Sequence, residues 1–299
     1  MDLLNAAYLL LIVIGISAQS VIKKGYNNKS EGKGVFTFSS VTVLTACIFF
    51  VIKSGFNLPF GWEMLPYALG FAISYCLSAV FGFLAIKEGP LSLTSLVTSY
   101  SLIIPTFYGL IFLDESASVW FWIGLALLCI SLFLINSGKK PSAEEEEKKE
   151  EGEPVKITLL WAIFALVSFV GNGACSTIQT VQQRTFDGQY KNELMIIALL
   201  AVTVIMTAAA CFAERKDIIP CTKRGWYWMV LCGVANGVVN LLVMVLSTRM
   251  KASLMFPVIS AGGIILTWVV SRFLYKEKLS VGQNVALVLG IAAVVFMNL

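Results

Sequence analysis

The chain has 299 residues, of which 58% are hydrophobic and only 13% are charged, with a formal net charge of +4. An ordinary soluble domain carries about 25% charged residues, so this chain lacks the side chains to clothe a water-exposed surface of its size. Its charges are dispersed over loops, which argues against a nucleic-acid partner, and it contains no histidine, which argues against imidazole metal sites, histidine proton relays and Ser-His catalysis.

Stretches free of Asp, Glu, Lys and Arg follow one another along the chain: 3–22, 34–52, 64–86, 89–113, 116–138, 157–183, 194–213, 225–248, 252–271 and 279–299. Each is long enough to cross a hydrocarbon core of about 30 Å as a helix rising about 1.5 Å per residue. Backbone groups in lipid must find their partners internally, so these stretches are expected to be helices, and the alternating pattern of a lipid-embedded barrel is absent. The first stretch is preceded by Met1 and Asp2 with no basic residue. It therefore reads as a spanning helix and not as a signal peptide. The expected fold class is an all-α membrane protein with ten transmembrane helices.

Residues 139–156, KKPSAEEEEKKEEGEPVK, break the pattern as a charged run with no apolar face, expected to be a solvated linker. They divide the chain into residues 1–138 and 157–299, each with five expected spans. The two parts resemble each other. A shift of 162 places Ser74 on Asn236, Ser78 on Asn240, Lys87 on Arg249, Thr98 on Ser260 and Glu115 on Glu277; a shift of 156 places Gly15 on Gly171 and Ser20 on Ser176. These matches suggest an internal duplication. With five crossings per copy, the second copy is expected upside down relative to the first, giving two inverted five-helix repeats around a central cavity.

The odd-numbered loops hold 17 of the 22 Lys and Arg residues. The positive-inside rule then puts those loops in the cytoplasm and both termini outside, in a multi-pass protein of the cell (plasma) membrane. The seven cysteines form no CxxC pair and read as packed thiols. The composition implies no cofactor.

Two segments carry a resemblance to a known family. FLAIKEGPLSLTSLVTSYSLIIPTFYGLIFLDESASVWFWIGLALLCISLFLI and VLSTRMKASLMFPVISAGGIILTWVVSRFLYKEKLSVGQNVALVLGIAAVVF each resemble the repeat of the drug/metabolite transporter superfamily, in its EamA-type branch: a short polar turn, a helix rich in small residues, then Glu115 or Glu277 before a final apolar helix. GISAQSVIKK and GNGACSTIQTVQQ fit the first helix of each repeat. The resemblance implies a ten-helix basket whose spans 1, 3, 4, 6, 8 and 9 line a cavity. It also implies both termini in the cytoplasm, against the charge count. The chain departs from the small multidrug proteins of that superfamily, having Ile14, Gly15 and Ile16 at mid-span 1 and no acid between Leu3 and Ile22, which argues against simple proton-for-drug exchange.

No expected span holds a charge at its centre, so uncharged polar groups are the candidate binding residues. Asn172, Ser176, Gln179 and Gln183 share one face of span 6, and Asn236 and Asn240 share one face of span 8. Gln19, Ser74, Tyr75, Ser78, Ser95, Thr98, Ser99 and Ser260 complete the set, alongside the reading in which such groups merely bond neighbouring helices. Glu115 and Glu277, at the starts of spans 5 and 10, are expected to complement the helix N-termini there; with Lys87 and Arg249 they are candidate gate residues. Pro105 is expected to interrupt span 4, and it and Gly233, Gly237, Gly262 and Gly263 to serve as packing or hinge elements.

The function these residues suggest is a secondary transporter or facilitator of a small metabolite, an amino acid or an amphipathic organic solute, acting by alternating access as a monomer or homodimer. The alternatives are a non-transporting scaffold or sensor, for which the linker is the one docking loop, and an intramembrane lipid-modifying enzyme, which would need a His, Asp or Glu cluster within the spans.

Overall fold

The computed structural model describes residues 2–30, 33–56, 61–88, 97, 100–113, 115, 118–137, 159–275 and 281–297. These form ten α-helices: α1 Leu3–Ser30, α2 Val35–Lys53, α3 Leu65–Glu88, α4 Ile103–Phe112, α5 Val119–Ser137, α6 Leu159–Thr185, α7 Lys191–Ala213, α8 Ile218–Ser247, α9 Ala252–Tyr275 and α10 Val281–Met297. A 3₁₀ turn, Trp62–Met64, leads into α3. Among the described residues, six segments are long and apolar enough to cross a membrane: Leu3–Lys23, Val35–Lys53, Trp62–Gly82, Leu159–Thr185, Lys191–Ala213 and Ile218–Ser247. The chain is a multi-pass helical membrane protein.

The two faces of α7 illustrate why. Leu194, Met195, Ala198, Leu199, Val202 and Met206 lie along one stripe and are fully buried against α2 and α3, whereas Leu200, Val204, Ile205 and Phe212 are equally apolar and open outward. Water would not tolerate such an outer face, and lipid does. Leu10, Leu11, Ile48, Ile73, Leu166 and Val295 extend the outward apolar belt over other helices.

Several helices overrun the uncharged stretches. Helix α1 continues past Lys23 to Ser30, where Tyr26 is buried and donates from its hydroxyl to the carbonyls of Lys33 (3.3 Å) and Gly34 (3.1 Å). Helix α8 begins at Ile218, before Lys223 and Arg224; Pro220 falls in its first turn, where a missing N–H costs nothing. Pro105 likewise lies in the first turn of α4, directly after a turn at Ser101 and Leu102, so it opens the described part of span 4.

Helix α1 packs on α8 and α9, and α6 packs on α3 and α4; α2 packs on α7 and α8, and α7 on α2 and α3; α4 meets α9, and α5 meets α10. One apolar cluster joins α2, α3, α6, α7 and Met244 of α8. A second joins Leu9 and Ile12 of α1 to Val239, Val243 and Leu246 of α8 and to the start of α9. Residues 26–30, 33–37 and 213–228 meet at one end of the bundle, while Glu115, Arg184 and residues 247–253 meet at the other. The linker at 139–156 lies outside the described residues.

Candidate functional site

The polar residues of the bundle form two systems, one of neutral amides between the helices and one of charges at an end. In the first, Gln179 of α6 donates from Nε2 to Asn240 Oδ1 at 2.7 Å. Asn240 of α8 donates to Asn236 Oδ1 at 3.0 Å and to the Asn236 carbonyl at 2.9 Å. Asn236 in turn donates to Gln19 Oε1 of α1 at 3.3 Å. The four amides therefore run in one direction from α6 through α8 to α1, each donor serving the next acceptor. The one-turn spacing of Asn236 and Asn240 makes the relay possible, since positions four apart lie above one another on a helix.

Asn172 does not join this row. It donates to the hydroxyl of Ser101, fully buried at the start of α4, at 2.5 Å. Further down the polar face of α6, Gln182 and Gln183 are both buried; Gln183 donates to Gln182 Oε1, and Gln182 donates to the Gln189 carbonyl at 3.2 Å. The buried Oε1 of Gln183 accepts no hydrogen bond. An orphaned acceptor of this kind costs about 1–3 kcal/mol.

The remaining expected residues have separate settings. Ser74 and Ser78 act through their backbones: Ser78 accepts at its carbonyl from Ser168 Oγ at 3.0 Å, and both lie against Gly171 at the crossing of α3 and α6. The Tyr75 ring stacks on Phe71. Ser176 gives its carbonyl to Thr180 at 3.0 Å. Ser260 lines a cavity of about 10 Å³ with Tyr100, Thr106 and Cys129, room for about one water. Ser95, Thr98, Ser99 and Glu277 lie outside the described residues, as does the side chain of Lys87.

The second system centres on Glu115, which is buried and accepts from the backbone N–H groups of Ala252 (2.8 Å) and Ser253 (2.9 Å), capping α9. The expected carboxylate at a helix N-terminus is present, but it serves α9 from a distance in the chain, not the helix that follows Glu115. Arg184 forms an ion pair with Glu115 at 2.7 Å and donates to the carbonyls of Met250 (2.9 Å) and Ser247 (3.2 Å). One carboxylate and one guanidinium thus bind together the ends of α6 and α8, the start of α9 and the segment before α5. Arg249, the basic gate candidate, is exposed and sits 5.7 Å above the Tyr8 ring; Arg184 takes its expected place beside Glu115.

No family model matches the chain, and no curated protein matches it in sequence. Solved structures do match. There are 28 such chains, and one crystal structure of a protein superposes with a TM-score of 0.77 at 13% identity, covering 98% of this chain and 98% of that chain. At that identity the likeness establishes a shared fold along the whole length and nothing about chemistry.

Ser101, Ser17 and Arg184 went unselected in the sequence. Ser101 is two residues from the chosen Ser99, and its neighbour across the bundle is 71 residues away. Ser17 donates to the Gly263 carbonyl at 3.2 Å, tying α1 to α9 at the paired glycines. Arg184 closes an uncharged stretch, where a basic residue reads as a boundary marker and gives no sign of a buried partner.

Proposed function

We propose that this chain is a secondary transporter or facilitator in which residues 1–138 and 157–299 form two inverted five-helix halves that expose a shared polar site to either side of the membrane in turn. The observation that carries this reading is the one-way amide row Gln179–Asn240–Asn236–Gln19. Four neutral amides drawn from three helices are costly in an apolar bundle unless they bond one another. A solute offering its own donors and acceptors can replace any of those bonds without leaving an amide bare. The open acceptor on Gln183, one turn from Gln179, supplies a place for a solute donor.

Helix pairing supports the inverted halves. Exchanging α1 to α5 with α6 to α10 turns the α1–α8 contact into α6–α3, α1–α9 into α6–α4 and α2–α8 into α7–α3, while α2–α7, α4–α9 and α5–α10 map onto themselves. All six are real pairings of the bundle. The glycines follow the same exchange. A Cβ on Gly15 would meet Val239 and Ala235 of α8, and a Cβ on Gly171 would meet Ser78 and Ser74 of α3. Those residues are within one position of partners under the 162-residue shift.

The amide row itself holds no charged residue, which suits a small polar solute without net charge, such as an amino acid zwitterion or a neutral amphipathic metabolite. The ion pair Glu115–Arg184 closes the site from one end in this conformation, and the basic loops at the opposite end face the cytoplasm of a cell membrane.

The test is reconstitution. Purified protein is screened for solutes that raise its melting midpoint, and the hits are then tested for uptake into liposomes. The reading expects uptake of at least one stabilising solute, and a drop of tenfold or more for Asn240→Ala. Uptake of none under any gradient, or an unchanged rate in Asn240→Ala, would remove the amide row from the mechanism.

A further inference from the structure

A polar cavity lies apart from the amide row, at the end where α1 finishes and α8 begins. It is an open pocket of about 320 Å³, lined by Ser30, Lys33, Asp217, Pro220, Cys221 and Arg224. A water in the liquid occupies about 30 Å³, so the space takes about ten waters or one small polar headgroup. Lys33 and Arg224 are exposed, and neither forms an ion pair with a described residue. The backbone that carries Lys33 is fixed, because the buried Tyr26 hydroxyl donates to the carbonyls of Lys33 and Gly34. The cations therefore stand at a preformed opening, not on a loose tail.

The height of this cavity in the bilayer follows from its neighbours. Trp226, two residues after Arg224, is exposed, and Tyr227 accepts a hydrogen bond at 2.9 Å from Lys29, whose ammonium also lies 5.0 Å from the Tyr227 ring centroid. Exposed tryptophan and tyrosine beside basic residues mark the level of lipid headgroups. Beyond them lie Arg215, Lys216 and Lys223, also exposed, while the nearby carboxylate of Glu214 is engaged, accepting from the N–H groups of Phe36 and Thr37 at the start of α2.

We propose that this cavity binds the headgroup of an anionic phospholipid, with Lys33 and Arg224 on the phosphate and Asp217 accepting from a headgroup hydroxyl. The Asp217 carboxylate decides the second half of the assignment. It would repel a bare phosphate monoester, and it has a partner when the headgroup carries a hydroxyl, as a glycerol or inositol phosphodiester does. The site is independent of the solute pathway, because its lining shares no residue with the amide row or with the Glu115–Arg184 pair.

The experiment titrates phosphatidylglycerol into the full-length protein in neutral detergent and reads the melting midpoint. Phosphatidylcholine, phosphatidic acid and glycerol 3-phosphate form the other arms. Phosphatidylglycerol is expected to raise the midpoint, phosphatidylcholine to leave it unchanged, and phosphatidic acid to act more weakly. Lys33→Ala/Arg224→Ala is expected to raise the half-saturating phosphatidylglycerol concentration about thirtyfold, from two surface contacts of about 1 kcal/mol each. Arg215→Ala/Lys216→Ala removes the same charge at the same end outside the cavity and should shift it less than about threefold. Melting without lipid reads whether each variant folds, and Lys33→Gln/Arg224→Gln repeats the contrast if the alanine pair does not. Equal effects of the two double variants would reduce the site to a diffuse field and overturn the proposal. An unchanged midpoint with phosphatidylglycerol, or equal stabilisation by phosphatidylcholine, would do the same. Glycerol 3-phosphate matching phosphatidylglycerol would replace the lipid by a soluble phosphate, and phosphatidic acid matching it would remove the role given to Asp217.

Discussion

The two ends of the bundle use the same device with different strength. At one end Glu115, from the first half of the chain, caps α9 of the second; at the other Glu214, from the second half, caps α2 of the first. Both carboxylates bind two successive backbone N–H groups of a distant helix. Of the two, only Glu115 pairs with a cation among the described residues, and only Glu115 is buried. The Glu214 end is held by neutral and single-charge hydrogen bonds, the Glu214 cap, the Tyr26 hydroxyl on the Lys33 and Gly34 carbonyls and Lys29 on Tyr227, with no ion pair among the described residues. Separating the first end breaks an ion pair that ties four segments, whereas separating the second breaks hydrogen bonds without a buried ion pair among the described residues. The asymmetry makes the Glu115 end the more strongly tied of the two.

Breaking the ion pair is the largest expected effect. Arg184→Gln leaves the Glu115 carboxylate buried without its cation, at a cost of about 3 kcal/mol, the low end for such a loss because two backbone N–H groups remain on the carboxylate. The helical signal followed against temperature in detergent checks this, and a loss no larger than that of Glu214→Ala would erase the contrast between the ends. Next comes the tightness of the middle. Gly171→Ala pushes a methyl to 2.7 Å from the Ser74 carbonyl and 2.8 Å from the Ser78 nitrogen, atoms of a helix backbone. At Gly15 the nearest atom is the Cγ2 of Val239, a side chain that can give way. Gly171→Ala should cost about 2 kcal/mol and Gly15→Ala clearly less; equal melting points would mean that the two crossings are equally loose.

The cap at the weaker end gives a smaller loss, about 1 kcal/mol for Glu214→Ala. Thr37 also donates its hydroxyl to Glu214, at 2.8 Å, so Thr37→Val should reproduce a part of that loss in the same melting assay. Last is the amide row. Asn240→Ala removes one interhelical bond and leaves the Gln179 amide with Met195 Sδ as its remaining contact, at 3.6 Å; the expected destabilisation is about 0.6–1.7 kcal/mol. A loss of uptake much larger than that loss of stability would separate a binding role from a packing one.

Much of the helical order was legible because charge is excluded from hydrocarbon so strictly that its absence outlines the crossings. Helix ends were less legible. Lys23 and Arg224 lie inside helices, since long basic side chains reach the interface while their backbone continues the helix. Of the site, Asn236 and Asn240 stood out because an amide in an apolar helix must have a partner, and their four-residue spacing put them on one face. That the partner chain runs to Gln19 and Gln179 depends on how α1, α6 and α8 cross, which no local pattern encodes. Glu115 stood out as a carboxylate at the start of a span, but its bonds to the α9 N-terminus and to Arg184 were not legible, because those partners lie 69 to 138 residues away.

Two-sided access to the amide row is the claim on which the transport reading stands. The direct measurement is a single cysteine at position 236, in a protein whose seven native cysteines are replaced by serine or alanine, alkylated by a membrane-impermeant thiol reagent added to one side or the other of oriented vesicles. Alternation between inverted halves predicts labelling from both sides, each slowed by a stabilising solute. Labelling from one side alone, or from neither while the protein remains folded, would contradict it.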